Sequence, residues 1–187
     1  AGVGYSHSTY RWSDSLDPSA GMLRLVAGLG TKAVDRTQSD YPRIVSLDKP
    51  LAQTSQSWAD KHRYSQHNAD VLDLEKRAVT ECDVLDLVDL LPPFAKQAIF
   101  EHDREAEGRL RERGHFRPVL FASCQGLVEN REFTTLMARL LSTLEECYKH
   151  PVDIEYTVNV GKDNTFAVNL LQCRPLHLLQ SGKRIDL

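Results

Sequence analysis

Hydrophobic and polar residues alternate most regularly over residues 151–175, and this pattern predicts two strands joined by a turn at residues 161–164. The turn sequence, Gly-Lys-Asp-Asn, is rich in residues that tolerate positive φ. Side chains point alternately to the two faces of a strand, so each strand divides into two sets. On the first strand, one set is Ile154, Tyr156, Val158 and Val160, and the other is Asp153, Glu155, Thr157 and Asn159. On the second strand, Leu170, Gln172 and Arg174 share a face.

A four-residue loop sets the predicted register of this hairpin. Val160 then pairs with Thr165, and counting outward places Glu155 opposite Leu170. In that register Glu155 and Gln172 are diagonal neighbours, about 7–8 Å apart at the backbone. Side chains of this length can converge on one ion, with Arg174 next along the strand.

Helical periodicity is clearest between residues 133 and 144, where apolar residues recur at the spacing of one helix face. Asn130 is the predicted N-cap, and Pro151 prevents continuation of the helix. A second, short helix is predicted over residues 84–91. The charge-rich residues 95–113 are typical of a solvated helix.

Shorter apolar runs predict additional strands and loops. Buried strands are predicted at residues 22–27 and 118–124, and short strands at residues 2–6 and 44–47. A charged hairpin is predicted over residues 71–80, and a polar surface loop over residues 52–69.

Composition and charge narrow the class of protein. A chain of 187 residues with 41% apolar and 26% charged residues is ordinary for a soluble globular protein. The net charge of -3 gives no electrostatic footprint for nucleic acid, and no apolar run approaches membrane-spanning length. The four cysteines show neither a C-x-x-C motif nor zinc spacing, which favours reduced thiols in the cytoplasm.

Glu155, Gln172 and Arg174 are the main candidates for chemistry. A carboxylate and an amide oxygen are hard ligands that suit Mg²⁺, and arginine offers paired planar donors to phosphate. From spacing alone, an ordinary solvent-facing hairpin with polar residues remains the default interpretation.

Two glycines follow the predicted strand at residues 22–27. Gly28 and Gly30 would let the backbone approach a ligand closely, although a plain turn is the default interpretation of a lone G-x-G. The histidines at positions 62, 67 and 102 have no identifiable metal-binding partners, so surface positions are expected for them.

The segments D-I-E-Y at residues 153–156 and L-L-Q-C-R-P at residues 170–175 resemble the end of the nucleotide-binding domain in phosphoenolpyruvate synthase and pyruvate phosphate dikinase. That family's pattern is roughly D-[IM]-E-[FWY], a hairpin, then [LV]-Q-x-R. Residues 2–6 are similar to the G-V-x-[FY]-[ST] strand that follows its adenine-binding hinge. Residues 28–34 are similar to its G-L-G-E-x-[VL]-V stretch. The resemblance implies an α+β, ATP-grasp-like fold with helices packed on a mixed or antiparallel sheet.

The resemblance also implies roles for individual residues. Glu155 and Gln172 would bind the Mg²⁺ of ATP, Arg174 would contact the transferred phosphates, and Gly28 and Gly30 would approach the nucleotide. Thr31 stands where the family carries Glu, which removes an acidic group near the nucleotide site.

The resemblance covers residues 2–50 and 130–175, whereas residues 51–129 are a divergent inserted region. The family's V-R-S arginine segment, lysine-bearing first subdomain, phosphohistidine segment and phosphoenolpyruvate-binding barrel are not found in this sequence. Residues 1–187 are therefore expected to be the C-terminal part of an ATP-grasp nucleotide-binding domain that binds ATP weakly or not at all when isolated.

The implied activity passes phosphoryl groups from ATP to a histidine on another domain of the same parent chain, and then to pyruvate or a similar acceptor. Whether this chain is catalytic stays open, because a non-catalytic binding or assembly module with the same fold is the alternative. A third alternative is a complete small protein of unrelated function. A fragment would expose an unpaired strand edge at residues 2–6, which would favour a homo-oligomer.

Overall fold

A computed structural model describes residues 1–34, 40–54 and 57–176, and it combines antiparallel strands with packed helices as predicted. The predicted domain of residues 1–187 thus includes positions outside the described residues. The strands are β1 (Gly2–Tyr5), β2 (Met22–Leu25), β3 (Arg43–Ser46), β4 (Asn68–Asp73), β5 (Ala78–Asp83), β6 (Phe100–His102), β7 (Leu120–Ala122), β8 (Val152–Val160) and β9 (Phe166–Pro175). The α-helices are α1 (Thr31–Val34), α2 (Trp58–Arg63), α3 (Leu87–Leu90), α4 (Pro93–Ile99), α5 (Arg104–Glu112), α6 (Gln125–Glu129) and α7 (Arg131–Tyr148).

The main sheet has five strands in the order β3-β2-β1-β8-β9, and each pair of neighbours is antiparallel. β1 lies at its centre and pairs with β2 on one side and β8 on the other. The expectation of an unpaired edge at residues 2–6 is therefore wrong. The strand has no free edge because its two partners, about 20 and 150 residues away, both reach it.

The hairpin of β8 and β9 is present, but its predicted register is wrong. Val160 pairs with Phe166 and not with Thr165, so five residues separate the paired ends. An irregularity between Glu155 and Tyr156 then adds one residue on β9, and Glu155 faces Gln172 directly. A β-bulge of this kind cannot be counted from loop length, because it depends on how the two strands twist against each other.

The helix α7 covers one face of the main sheet. Asn130 caps it as predicted, because its side-chain oxygen accepts hydrogen bonds from the backbone N–H groups of Glu132 and Phe133. Phe133, Met137 and Leu141 are at most 2% exposed on its inner side. They pack against the apolar sheet face, whose buried members include Leu23, Leu25, Val152, Ile154 and Tyr156. Burying a large apolar side chain stabilises the fold by roughly 1.5–3 kcal/mol, so this layer is the main core.

A second, smaller core lies beside the sheet and contains the β4–β5 hairpin and the β6–β7 pair. Its buried residues are Ala27, Ala69, Val84, Phe100 and Ala122. Two predictions fail in this region. The supposed polar loop at residues 52–69 contains α2 and the start of β4, and the supposed single helix at residues 95–113 is divided by β6. Phe100 explains the division, because it is buried and pairs with Ala122.

The remaining predictions of secondary structure are confirmed with shifted ends. The strands expected at residues 22–27, 44–47 and 118–124 are β2, β3 and β7, and the charged hairpin is β4–β5. The helix expected at residues 84–91 is a short 3-10 turn followed by α3. None of the helices in the described part of the chain combines the length and apolar character needed to cross a bilayer.

Candidate functional site

The face of β8 and β9 opposite α7 brings the predicted hairpin residues together. Glu155 lies opposite Gln172, and Asp153 lies opposite Arg174. Residues that face each other across an antiparallel pair project to the same side of the sheet, as do residues two apart on one strand. Because of the bulge, Glu155 and Gln172 face each other directly and are closer than in the predicted diagonal arrangement. The bulge also places Leu170 opposite Tyr156. Leu170 therefore does not project to the same side of the sheet as Gln172 and Arg174, contrary to the prediction.

Arg174 is held by Asp153. The Nε–H of Arg174 donates to Oδ1 of Asp153 at 2.7 Å, and Asp153 is buried. This hydrogen bond and the charge of Asp153 raise the pKa of Arg174, with smaller contributions from Glu155 and Tyr5. About half of the Arg174 side chain, 51%, remains exposed. A guanidinium with an anchored Nε and an exposed end can offer its terminal N–H groups to an anion.

The same sheet face continues across the two neighbouring strands. Val3 lies opposite Glu155 and Tyr5 opposite Asp153 on β1, and Arg24 of β2 lies opposite Val3. The guanidinium of Arg24 is 5.5 Å from the centre of the Tyr5 ring. No local sequence signal connects β1 or β2 to the hairpin, so these side chains were not identified from the sequence. Asp153 could have been, because it precedes Glu155 by two residues.

Gly28 lies in the segment that follows β2, and its conformation has a structural cause. Its φ is +84°, and a Cβ at Gly28 would lie 2.6 Å from the backbone oxygen of Asp70. The N–H of Leu29 donates to that same oxygen at 2.8 Å. Gly28 is therefore required for the close approach of this segment to β4.

Gly30 is less constrained. A Cβ at this position would meet only the Cβ of Ala1, at 3.5 Å, which is an ordinary contact. The structure therefore brings Glu155, Gln172 and Arg174 together. Gly28 lies against β4, and Gly30 lies near Ala1.

The residues after Gly30 are tied to the β4–β5 hairpin. The hydroxyl of Thr31 donates to the Asp70 carboxylate, and Lys32 forms an ion pair with Glu81. The hydrogen bond to Glu81 raises the pKa of Lys32, which is itself buried. Thr31 thus has a hydrogen-bonding role between α1 and β4.

The donor set on the hairpin fits Mg²⁺ better than zinc. Within the described ranges, no three His, Cys, Asp or Glu side chains converge as a metal site would require. Glu155 and Gln172 supply one carboxylate and one amide oxygen. Mg²⁺ commonly binds one or two protein oxygens and completes its shell with phosphate and water, so this sparse set suits a metal that arrives with a phosphate ligand.

The described residues also line cavities that do not include Glu155, Gln172 or Arg174. One, of about 520 Å³, lies beyond β3 and is lined by Tyr41, Arg43, Tyr64 and Phe121 among others. Burial lowers the pKa of Arg43, whose Nη2–H donates to Gln125 at 3.3 Å. A cavity of about 420 Å³ lies between α4, α6 and the tip of the β8–β9 hairpin. The candidate site on β8 and β9 is thus not one of these two cavities.

Comparison with known proteins gives one family. The family model described as "Pyruvate phosphate dikinase, AMP/ATP-binding domain" matches residues 1–185, which include the middle stretch as well as both ends. Neither the curated proteins nor the solved structures contain a significant match.

Proposed function

The chain belongs to the family of the AMP/ATP-binding domain of pyruvate phosphate dikinase, and on this premise we propose that the polar face of β8 and β9 binds the Mg²⁺ and phosphates of ATP. The observation that supports this proposal is the direct opposition of Glu155 and Gln172. Arg174, two residues further along β9, is half exposed beside them.

Each side chain has a separate task in this proposal. The Glu155 carboxylate and the Gln172 amide oxygen hold the metal, which offsets the negative charge of the phosphates. Arg174 donates to the phosphate oxygens, where preorganised positive charge stabilises phosphoryl transfer. Asp153 accepts the hydrogen bond of Arg174 Nε and so fixes the plane of the guanidinium. Asp153 is in this sense a positioning residue.

The finer details of the proposal come from the family resemblance. We propose an ATP-grasp fold, of which residues 1–187 form the C-terminal part, with residues 51–129 as a divergent insertion. Phosphoryl groups would pass from ATP to a histidine of another domain in the same parent chain, and then to pyruvate or a similar acceptor. Contact of Gly28 and Gly30 with the nucleotide stays a prediction.

A non-catalytic nucleotide-binding or assembly module is the second candidate. Thr31 favours it, because this residue replaces an acidic group of the related sequences and is bonded to Asp70. Binding and catalysis are therefore separate questions. Binding without transfer of phosphate from unmodified ATP to any acceptor would select the module.

Thermal denaturation of the protein at its full encoded length tests the binding site. We expect a non-hydrolysable ATP analogue to raise the Tm by several degrees when Mg²⁺ is present, because a ligand at 100 times its Kd stabilises the folded state by about 2.7 kcal/mol. Glu155→Gln should remove the Mg²⁺-dependent part of this shift. Glu146→Gln, which neutralises an exposed carboxylate on α7, is the matched control and should keep it.

Two results would contradict the proposal. One is an absence of any Mg²⁺-dependent shift in the wild-type protein. The other is an equal shift in the wild type and in Glu155→Gln, because a metal held by this carboxylate cannot bind unchanged without its charge.

A further inference from the structure

Arg24 on β2 is a partly buried arginine. Its Nε has no hydrogen-bond partner in the part of the chain that the structure describes. No ion pair of Arg24 is found there either, and its one specific contact is the Tyr5 ring, 5.5 Å from the guanidinium carbon. Arginines that are withdrawn from water normally satisfy their five N–H donors with carboxylates or carbonyls. The contact with Tyr5 offsets only part of this cost.

The position of Arg24 connects it to the proposed nucleotide site. Gln172, Glu155, Val3 and Arg24 form one row across four neighbouring strands. Arg24 therefore shares the sheet face of Glu155 and starts two strand spacings away from it, about 10 Å at the backbone. An arginine side chain can cover much of that distance.

Tyr5 lies between the two arginines of this face. It is opposite Asp153 on β8, contributes to the raised pKa of Arg174, and contacts the guanidinium of Arg24 from the other side. The guanidinium of Arg24 lies over this ring. Arg24 and Arg174 thus approach the same area of the sheet from opposite sides.

On this face the carboxylates of Asp153 and Glu155 balance the charges of Arg24 and Arg174, but a bound Mg²⁺ would add positive charge that an anion can offset. Asp153 neutralises Arg174, and in the proposed function Glu155 neutralises a metal ion. Arg24 then has no counter-charge among the described residues. A ligand that carries several negative charges along its length would supply one.

We propose that Arg24 is a second phosphate-binding arginine, which contacts the polyphosphate from the side opposite Arg174 and selects nucleoside triphosphate over monophosphate. This inference rests on the proposed function, because it takes the phosphates to lie over Glu155. The chemical class recognised is a di- or triphosphate with bound Mg²⁺. A triphosphate is longer than a single phosphate and can extend to both arginines, so in this proposal Arg24 contributes to selectivity and not to general affinity.

Titration calorimetry on the full-length encoded protein provides the test, with three probes: a non-hydrolysable ATP analogue with Mg²⁺, AMP, and inorganic pyrophosphate with Mg²⁺. We expect Arg24→Gln to weaken binding of the ATP analogue and of pyrophosphate by about 10- to 100-fold, the effect of losing a charged hydrogen bond. AMP binding should change less than twofold. Arg24→Lys should recover part of the loss, and Arg109→Gln, at an exposed position on α5, should match the wild type.

A second variant covers the case in which Arg24→Gln does not fold. Tyr5→Leu removes the ring that restrains Arg24 and keeps its charge, so it should weaken the ATP analogue by several-fold while AMP binding stays unchanged. An equal loss for AMP and for the ATP analogue in either variant would overturn the inference.

The outcomes also separate this inference from the function on which it rests. If Glu155→Gln removes Mg²⁺-dependent binding but Arg24→Gln binds the ATP analogue like the wild type, only the role of Arg24 is lost. If pyrophosphate binds through Arg24 and the nucleotides do not bind, the anion site stands and the nucleotide function is wrong. If the wild type binds none of the three probes, both are wrong.

Discussion

Single residues of the same type have different roles in this chain, and the two glycines after β2 are an example. Gly28 has positive φ and is pressed against the backbone of Asp70, whereas Gly30 has neither constraint. Their shared sequence motif, G-x-G, does not distinguish them. The distinction depends on β4, which lies about 40 residues further along the chain.

Alanine substitutions separate the structural role of Gly28 from a role in binding. Gly28→Ala should lower the free energy of unfolding by about 1–3 kcal/mol, because it combines a strained φ with a steric clash. Gly30→Ala should change it by less than about 0.5 kcal/mol. Urea denaturation of both variants measures the difference. A Gly28→Ala variant of wild-type stability but weaker nucleotide binding would instead support the predicted contact with the nucleotide.

The polar residues of the β8–β9 hairpin show that residue types can be predicted from the sequence when their geometry cannot. Glu155, Gln172 and Arg174 were identified from their types and order, and the family match confirms the resemblance that those residues suggested. Their mutual geometry was not identified correctly, because one bulged residue on β9 changes which side chains face each other. Their roles in binding remain predictions that the Glu155→Gln experiment tests.

Among the secondary-structure elements, α5 is capped at its N-terminus by one buried carboxylate. Asp103 is 2% exposed and accepts the N–H of Ala106 at 2.8 Å, which caps the helix. The Nε2 of His62, on α2, lies 3.0 Å from its other oxygen. Burial acts to raise the pKa of Asp103, but the hydrogen bonds from Ala106 and His62 and the charges of His62 and Arg109 lower it overall.

This depressed pKa predicts a loss of stability in acid. A carboxyl group whose pKa is lower in the folded state stabilises the fold above its unfolded pKa of about 3.9, and the contribution disappears as the pH falls through the folded pKa. We expect Asp103→Asn to be less stable than the wild type at pH 7, by about 1 kcal/mol from the weakened cap, and to lose less stability between pH 5 and pH 2. Urea denaturation across this range measures both effects.

A matched control is Asp14→Asn, at an exposed position near the start of the chain. It should show the same acid dependence as the wild type. If Asp103→Asn also shows that dependence, other carboxyl groups are responsible for the acid sensitivity.

At the scale of the whole molecule, the two larger apolar cores of the described residues meet at the end of β2. Gln66, 4% exposed, joins them: its Oε1 accepts the N–H of Ala27 at 2.8 Å, and its Nε2 donates to the oxygens of Ala27 and Asn68. The side-chain amide of Gln66 thus pairs with both the N–H and the C=O of Ala27, as a neighbouring strand would, and satisfies these buried backbone groups. They also attach the β4–β5 hairpin to the main sheet.

Removing this side-chain amide should weaken the junction. Gln66→Met keeps the volume but leaves buried groups of Ala27 without partners, so it should lower the free energy of unfolding by about 2–3 kcal/mol. Hydrogen exchange should increase first in β4 and β5, since these strands are attached through Gln66. Gln97→Met, at an exposed position, should stay within about 0.5 kcal/mol of the wild type. Equal exchange throughout both cores would show that they unfold as one unit.

Local sequence determined the elements whose signals lie within a few residues. The α7 helix, its Asn130 cap and the β8–β9 hairpin follow from periodicity, capping and turn residues, because these effects act between near neighbours. The motif around Glu155 and Gln172 likewise sufficed to identify the family. Residues 52–69 and 95–113 were misassigned, since buried contacts with distant strands overrode their polar composition.

Tertiary structure alone decided which residues share the candidate site. The bulge that aligns Glu155 with Gln172, the central position of β1, and the placement of Arg24 and Tyr5 on the same face all depend on pairing between distant segments. Such pairing is chosen by the packing of the whole sheet on its core and not by local preference. The residue types of the candidate site were therefore readable from the sequence, whereas their arrangement was not.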